Sequence, residues 1–177
     1  MSAGRTPVSW TEAEPGLVER EQTAMAAGAP DMYWCDDLIW RHGRRAVGWR
    51  GLAPVWGGER EKPAGVDELL AGRRLELRVI YLEAYPAVPP VLDPIIPEVP
   101  IERRTLNAWH VNGDGTLCMM QAASDWDPSA AAAELVTKAS GWFIEYLLAD
   151  AGNIERMTQQ GVLLDTSLDE TLAAYAA

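Results

Sequence analysis

Two cysteines, at 35 and 118, and two histidines, at 42 and 110, carry the thiols and imidazoles of this chain. A thiolate attacks acyl carbons, so each cysteine must be core, metal ligand or nucleophile. Cys118 follows Asn112-Gly113-Asp114-Gly115, a dense turn signal, through Thr116 and Leu117. Gly113 and Gly115 permit positive φ and the close approach of another backbone. By residue type alone, a free cysteine is most often a buried structural thiol. Cys35, in a strand-like stretch, reads as core. Cys118 with His110 could also form a hydrolase pair, which needs a base within hydrogen-bond reach and a water-admitting pocket. The four residues lack the close ligand pairs of a zinc site.

The segments around Cys118 narrow these readings. Tyr85-Pro86-Ala87-Val88-Pro89-Pro90 matches the Tyr-Pro-x-x-Pro-Pro segment of ubiquitin-conjugating enzymes. Asn112 to Cys118 resembles that family's glycine turn running into its catalytic cysteine. Trp126, eight residues after Cys118, precedes Asp127-Pro128 in a manner similar to the family's Trp-Ser-Pro. The pieces occur in the right order, and together they are far more specific than any one alone. The resemblance covers roughly residues 75–150, and it points to the bacterial stand-alone members associated with antiphage operons.

That resemblance implies that Cys118 holds the C-terminus of a ubiquitin-like protein as a thioester and passes it to a target amine. His110 stands where the family carries the Asn of a His-Pro-Asn tripeptide. An imidazole there could stabilise an oxyanion, act as a base or lower the thiol pKa. The family spacing from Cys118 lands on Asp150 as the acid that orients an attacking lysine. The implied partners are a ubiquitin-like protein, an adenylating activating enzyme and a target protein, with a nucleotide-second-messenger synthase as one version of the target. No cofactor is expected, since ATP is used by the activating enzyme and the chain has no Walker loop or dinucleotide fingerprint. The alternative is a non-catalytic scaffold of the same fold, although such variants usually lack the cysteine. The chain departs from the family in carrying extra residues before the cysteine, including Pro97 to Arg104. Those residues are expected to alter partner-docking surfaces. Trp109 is read as loop packing.

Elements must position this loop. A helical composition runs from Ser9 to Met25, with Pro15 as a favoured first helical residue and Gly28 and Pro30 as its end. Residues 33–41 and 46–56 are strand-like, residues 57–72 read as a long polar loop, and Leu75, Leu77, Val79 and Tyr81 alternate with Glu76 and Arg78. The proline-dense segment 85–100 cannot be a central strand throughout. Asp127-Pro128 predicts the start of a long helix, with Asp127 as N-cap and Leu135, Ala139, Trp142 and Tyr146 on its buried face. Ser167 and Glu170 predict a capping box for a last helix. The expected fold class is α+β: an N-terminal helix, an antiparallel meander of about four strands, an irregular loop, then a long helix and a C-terminal helix. Residues 1–177 are expected to form one domain of the ubiquitin-conjugating-enzyme type, with residues 1–8 frayed.

Bulk properties restrict the partners. A net charge of −11 repels phosphate backbones and anionic lipid, so nucleic-acid and membrane-surface roles are disfavoured. The basic clusters Arg41 to Arg45 and Arg73–Arg74 read as solvated edges. Residues 1–30 lack a charged segment followed by an apolar one, and no apolar run approaches a membrane span. Only two cysteines, far apart, suit a reducing cytoplasm.

Overall fold

Alternating side chains build the sheet that everything else leans on. The computed structural model describes residues 9–40, 43–120 and 125–177, and the fraying expected of residues 1–8 lies outside them. Strands β1 (Met32–Trp40), β2 (Arg44–Leu52), β3 (Glu76–Ile80) and β4 (Val91–Ile96) form one antiparallel sheet in the order β1-β2-β3-β4. On β3, Leu77 and Val79 are fully buried, while Arg78 points to the other face and pairs with Asp93 of β4. Tyr33, Arg50, Arg78 and Asp93 are neighbours in register across all four strands of that outer face. The proline-dense segment does supply a strand. Pro94 is tolerated because β4 lies at the sheet edge and the register shifts beside it.

Helices α1 (Trp10–Ala13) and α2 (Pro15–Gly28) precede the sheet, with Pro15 in the first turn of α2 as expected. The long loop 57–72 is not wholly a loop. It contains α3 (Val66–Leu70), whose Val66, Leu69 and Leu70 are buried, because these apolar residues have core to reach.

The long helix α4 (Ala132–Asp150) buries Leu135, Ala139, Trp142 and Tyr146, the expected face. Its start differs from expectation. Asp127 does not cap it: Oδ1 accepts from the Ser129 backbone N–H and hydroxyl, both at 2.8 Å, and closes a turn. The helix begins at Ala132, whose N–H donates to the carboxylate of Glu21 on α2 at 2.9 Å. Glu134 adds a second contact by accepting the Ala131 N–H. A carboxylate from a distant helix thus satisfies the first helical N–H, which is buried, and complements the positive helix end.

The expected capping box at Ser167 is also absent. The Ser167 N–H donates to Asp165, and α5 (Asp169–Ala173) starts without a side-chain cap.

Aromatic residues fill the space between α1, α2 and the sheet. Trp10 packs against Trp34, Tyr81 and Tyr85, Trp34 against Trp49, and Tyr85 against Trp126. The architecture is therefore α+β, a four-stranded antiparallel sheet with helices. Among the described residues, no helix is long and apolar enough to cross a membrane.

Candidate active site

The turn before Cys118 is built from its own polar side chains. Gly115 N–H donates to the Asn112 carbonyl at 2.8 Å, and Asn112 N–H to the Thr116 carbonyl at 2.8 Å. Asp114 Oδ1 accepts from the Thr116 N–H and hydroxyl at 3.0 and 2.6 Å. Gly115 has φ +88°, and a Cβ there would meet the Arg104 guanidinium carbon at 3.2 Å, so both its conformation and its neighbour favour glycine.

This turn folds the loop back on itself. Val111 bridges Leu117, and both are buried. Leu117 N–H donates to the Leu92 carbonyl of β4 at 2.9 Å, which fixes the loop to the sheet edge. One step outward, the Cys118 N–H donates to the His110 carbonyl at 2.8 Å. Cys118 and His110 are thereby brought side by side, both half-buried.

Their side chains are not joined. The Cys118 thiol donates to the Met120 carbonyl, with Sγ 3.3 Å from the oxygen. Among the described residues, the His110 imidazole has no hydrogen-bond partner; its burial holds its pKa below the ordinary 6.5 and so keeps it neutral at pH 7. His110 also takes a left-handed backbone, φ +49°, a conformation histidine tolerates better than most residues. A neutral imidazole carries one N–H donor, which suits hydrogen bonding to an oxyanion.

No protein-family model matches the chain. No curated protein matches it either.

Asp150 sits at the C-terminal end of α4 and is engaged by Arg103 in an ion pair. The same guanidinium donates to the Tyr146 hydroxyl at 2.9 Å and lies over the Trp109 ring, 4.3 Å from its centroid. Trp109 is packed, as expected, and its carbonyl accepts from the Trp142 indole at 2.9 Å. Asp150 is thus linked by contacts to the residue before His110 through Arg103 and Trp109. Sequence reasoning did not find Arg103, because nothing in residue spacing couples an arginine in the extra segment to a helix end 47 positions later.

Cys35 also differs from expectation. It is half-buried on β1, not core: it shares the parity of exposed Tyr33, opposite to buried Met32. Burial, with Asp37 and Asp36 nearby, pushes its thiol pKa up, which keeps it protonated. Among the described residues no group of three or more His, Cys, Asp or Glu is placed to hold a metal ion.

Two of the three segments that carried the family resemblance meet in space. The Trp126 indole donates to the Pro86 carbonyl at 2.8 Å, and Tyr85 packs against Trp126. The Tyr85 hydroxyl donates to Glu21 at 2.7 Å, the same carboxylate that receives the start of α4.

Proposed function

We propose that this chain is an acyl-carrier transferase with a ubiquitin-conjugating-type fold, using Cys118 as its nucleophile. The observation that carries the reading is the backbone pairing of Cys118 with His110 beyond a glycine turn, with Cys118 half-buried. The contact of Tyr85-Pro86 with Trp126 supports it, because two sequence pieces recognised separately, the proline segment and the Trp126 segment, pack together.

In the first step, Cys118 Sγ attacks the thioester carbonyl that an adenylating activating enzyme has made on the C-terminus of a ubiquitin-like protein. A new C–S bond forms at Cys118, and the activating enzyme's thiol leaves with the proton. In the second step an amine of the target protein attacks this carbonyl, an amide bond forms, and Cys118 leaves as a thiol. Each addition places negative charge on the carbonyl oxygen, and the His110 N–H is the donor proposed to meet it. ATP is used by the activating enzyme. Asp150 is the acid proposed for orienting the amine, acting from its pair with Arg103. The setting proposed is the bacterial cytoplasm and antiphage defence, with a nucleotide-second-messenger synthase as one version of the target.

A second reading, a protein-binding variant of the same fold, draws on two observations. The thiol is already engaged with the Met120 carbonyl, and Asp150 is already paired. The two separate in one assay. Incubated with activating enzyme, ATP and the ubiquitin-like protein, the chain forms an adduct that dithiothreitol releases. Cys118→Ser converts it to a resistant oxyester or abolishes it. A labile adduct that survives in Cys118→Ser excludes Cys118, and no adduct on the parent chain favours the binding variant.

A further inference from the structure

Residues 97–104 read as an addition to the surface, yet their last two side chains grip opposite arms of the Cys118 loop. Arg103 holds the incoming arm: it pairs with Asp150, donates to Tyr146 and covers Trp109, the residue before His110. Arg104 holds the turn. Its Nε and Nη2 donate to the Val99 carbonyl at 3.1 and 2.9 Å, and its guanidinium fills the space beside Gly115, where a Cβ would meet the guanidinium carbon at 3.2 Å.

Thr105 continues the contact. Its N–H donates to the Val111 carbonyl at 3.0 Å, and its methyl would meet a Cβ on Gly113 at 2.9 Å. Thr105 does this at φ +66°, a costly conformation for a β-branched residue that persists where neighbours over-determine it. A short basic run is thus wedged between the two arms, anchored on one side to α4 and on the other to its own carbonyl.

We infer that Arg103 and Arg104 are positioning residues, a paired clamp that holds the loop so that Cys118 stays half-buried beside His110. Its bearing on transfer rests on the reading of Cys118 as nucleophile. The mechanism is mechanical and electrostatic. A guanidinium stacked on an indole and paired with a carboxylate resists rotation of Trp109, and His110 follows Trp109 directly. The cation–carboxylate pair is partly exposed, so its strength lies in combination with the aromatic faces more than in the ion pair alone.

The test uses the full chain with Cys35→Ser, so that iodoacetamide reports Cys118 alone. Arg103→Ala and Arg104→Ala are each expected to raise the alkylation rate at least about threefold, as the sulfur becomes more accessible. Arg103→Ala also shifts the Trp142 indole N–H resonance, since its acceptor is the Trp109 carbonyl. The indole resonances of Trp49 and Trp56, bonded to the Tyr81 hydroxyl and the Arg60 carbonyl, stay in place and report an intact fold. A smaller rise at either arginine, or a fall, overturns the clamp, and so does an unmoved Trp142 resonance. If an alanine variant loses the Trp49 and Trp56 signals, Arg103→Gln and Arg104→Gln carry the same expectation and the same overturning result. Alkylation needs only the sulfur, so failure of the transferase reading appears separately, as a parent chain that never becomes charged.

Discussion

Glu21 and His110 are both polar side chains set among apolar ones, and they are treated in opposite ways. The Glu21 carboxylate is fully buried and accepts from the hydroxyls of Tyr81 and Tyr85, from the Ala132 N–H and from Arg20. Burial beside that carboxylate pushes both tyrosine pKa values up, so the phenols remain donors across the accessible pH range. His110 keeps its side-chain hydrogen-bonding capacity unspent among the described residues, and the neighbouring thiol makes one bond, to the Met120 carbonyl. Saturated polar networks rigidify a fold, whereas a side chain with unspent hydrogen-bonding capacity can still bond to water or to a visiting group. The molecule places the first kind of group under the helix start and the second kind on the loop.

Breaking the saturated region has the largest effect. Glu21→Ala leaves two phenols and the Ala132 N–H facing a cavity and takes one partner from the partly exposed Arg20, and each unsatisfied buried donor costs stability. The expected loss is about 3–5 kcal/mol, comparable with cutting one partner from a buried charge network. Urea unfolding measures it, and a loss below about 1 kcal/mol would mean that water replaces the carboxylate and that the region is not sealed.

The next effect strikes the loop. Gly115→Ala forces a side chain into the left-handed region and against the Arg104 guanidinium, at an expected cost of about 1–3 kcal/mol. The contrast with Glu21 lies in where the damage appears. Thermal unfolding should shift modestly, while charging of Cys118 falls well beyond the change in folded fraction. Loss of stability and activity in equal proportion would make Gly115 a folding residue only.

How far the sequence spoke follows the range of the interactions. The alternation of Leu75, Leu77, Val79 and Tyr81 marked β3 because strand periodicity is local, and the buried face of α4 was legible for the same reason. The start of α4 was not. Asp127-Pro128 carries every local mark of a helix start, yet the first free N–H is met by Glu21, 111 residues earlier. A capping signal read along the chain cannot see a carboxylate delivered by tertiary packing. The loop shows the same division. The turn from Asn112 to Thr116 was legible because its own side chains make it. The Arg103–Asp150 pair was not: it joins the end of α4 to Trp109 through one guanidinium, a contact that no local pattern announces.

The smallest effect sharpens the comparison most directly, because it asks whether the imidazole is desolvated in the folded chain. Burial lowers the folded pKa of His110 below the ordinary 6.5. The folded state then binds a proton less readily than the unfolded state, so stability rises with pH between the two values. The contribution is complete above 6.5 and is lost as pH falls from 6.5 toward the folded value. His110→Gln removes the titration and keeps a donor on the loop. Urea midpoints at a neutral and a mildly acidic pH should therefore fall further for the parent chain than for His110→Gln, with all other titrating groups cancelling in the difference. Equal falls would mean that His110 is as well hydrated folded as unfolded. The loop would then lack the dry, neutral donor that distinguishes it from the saturated carboxylate below the helix.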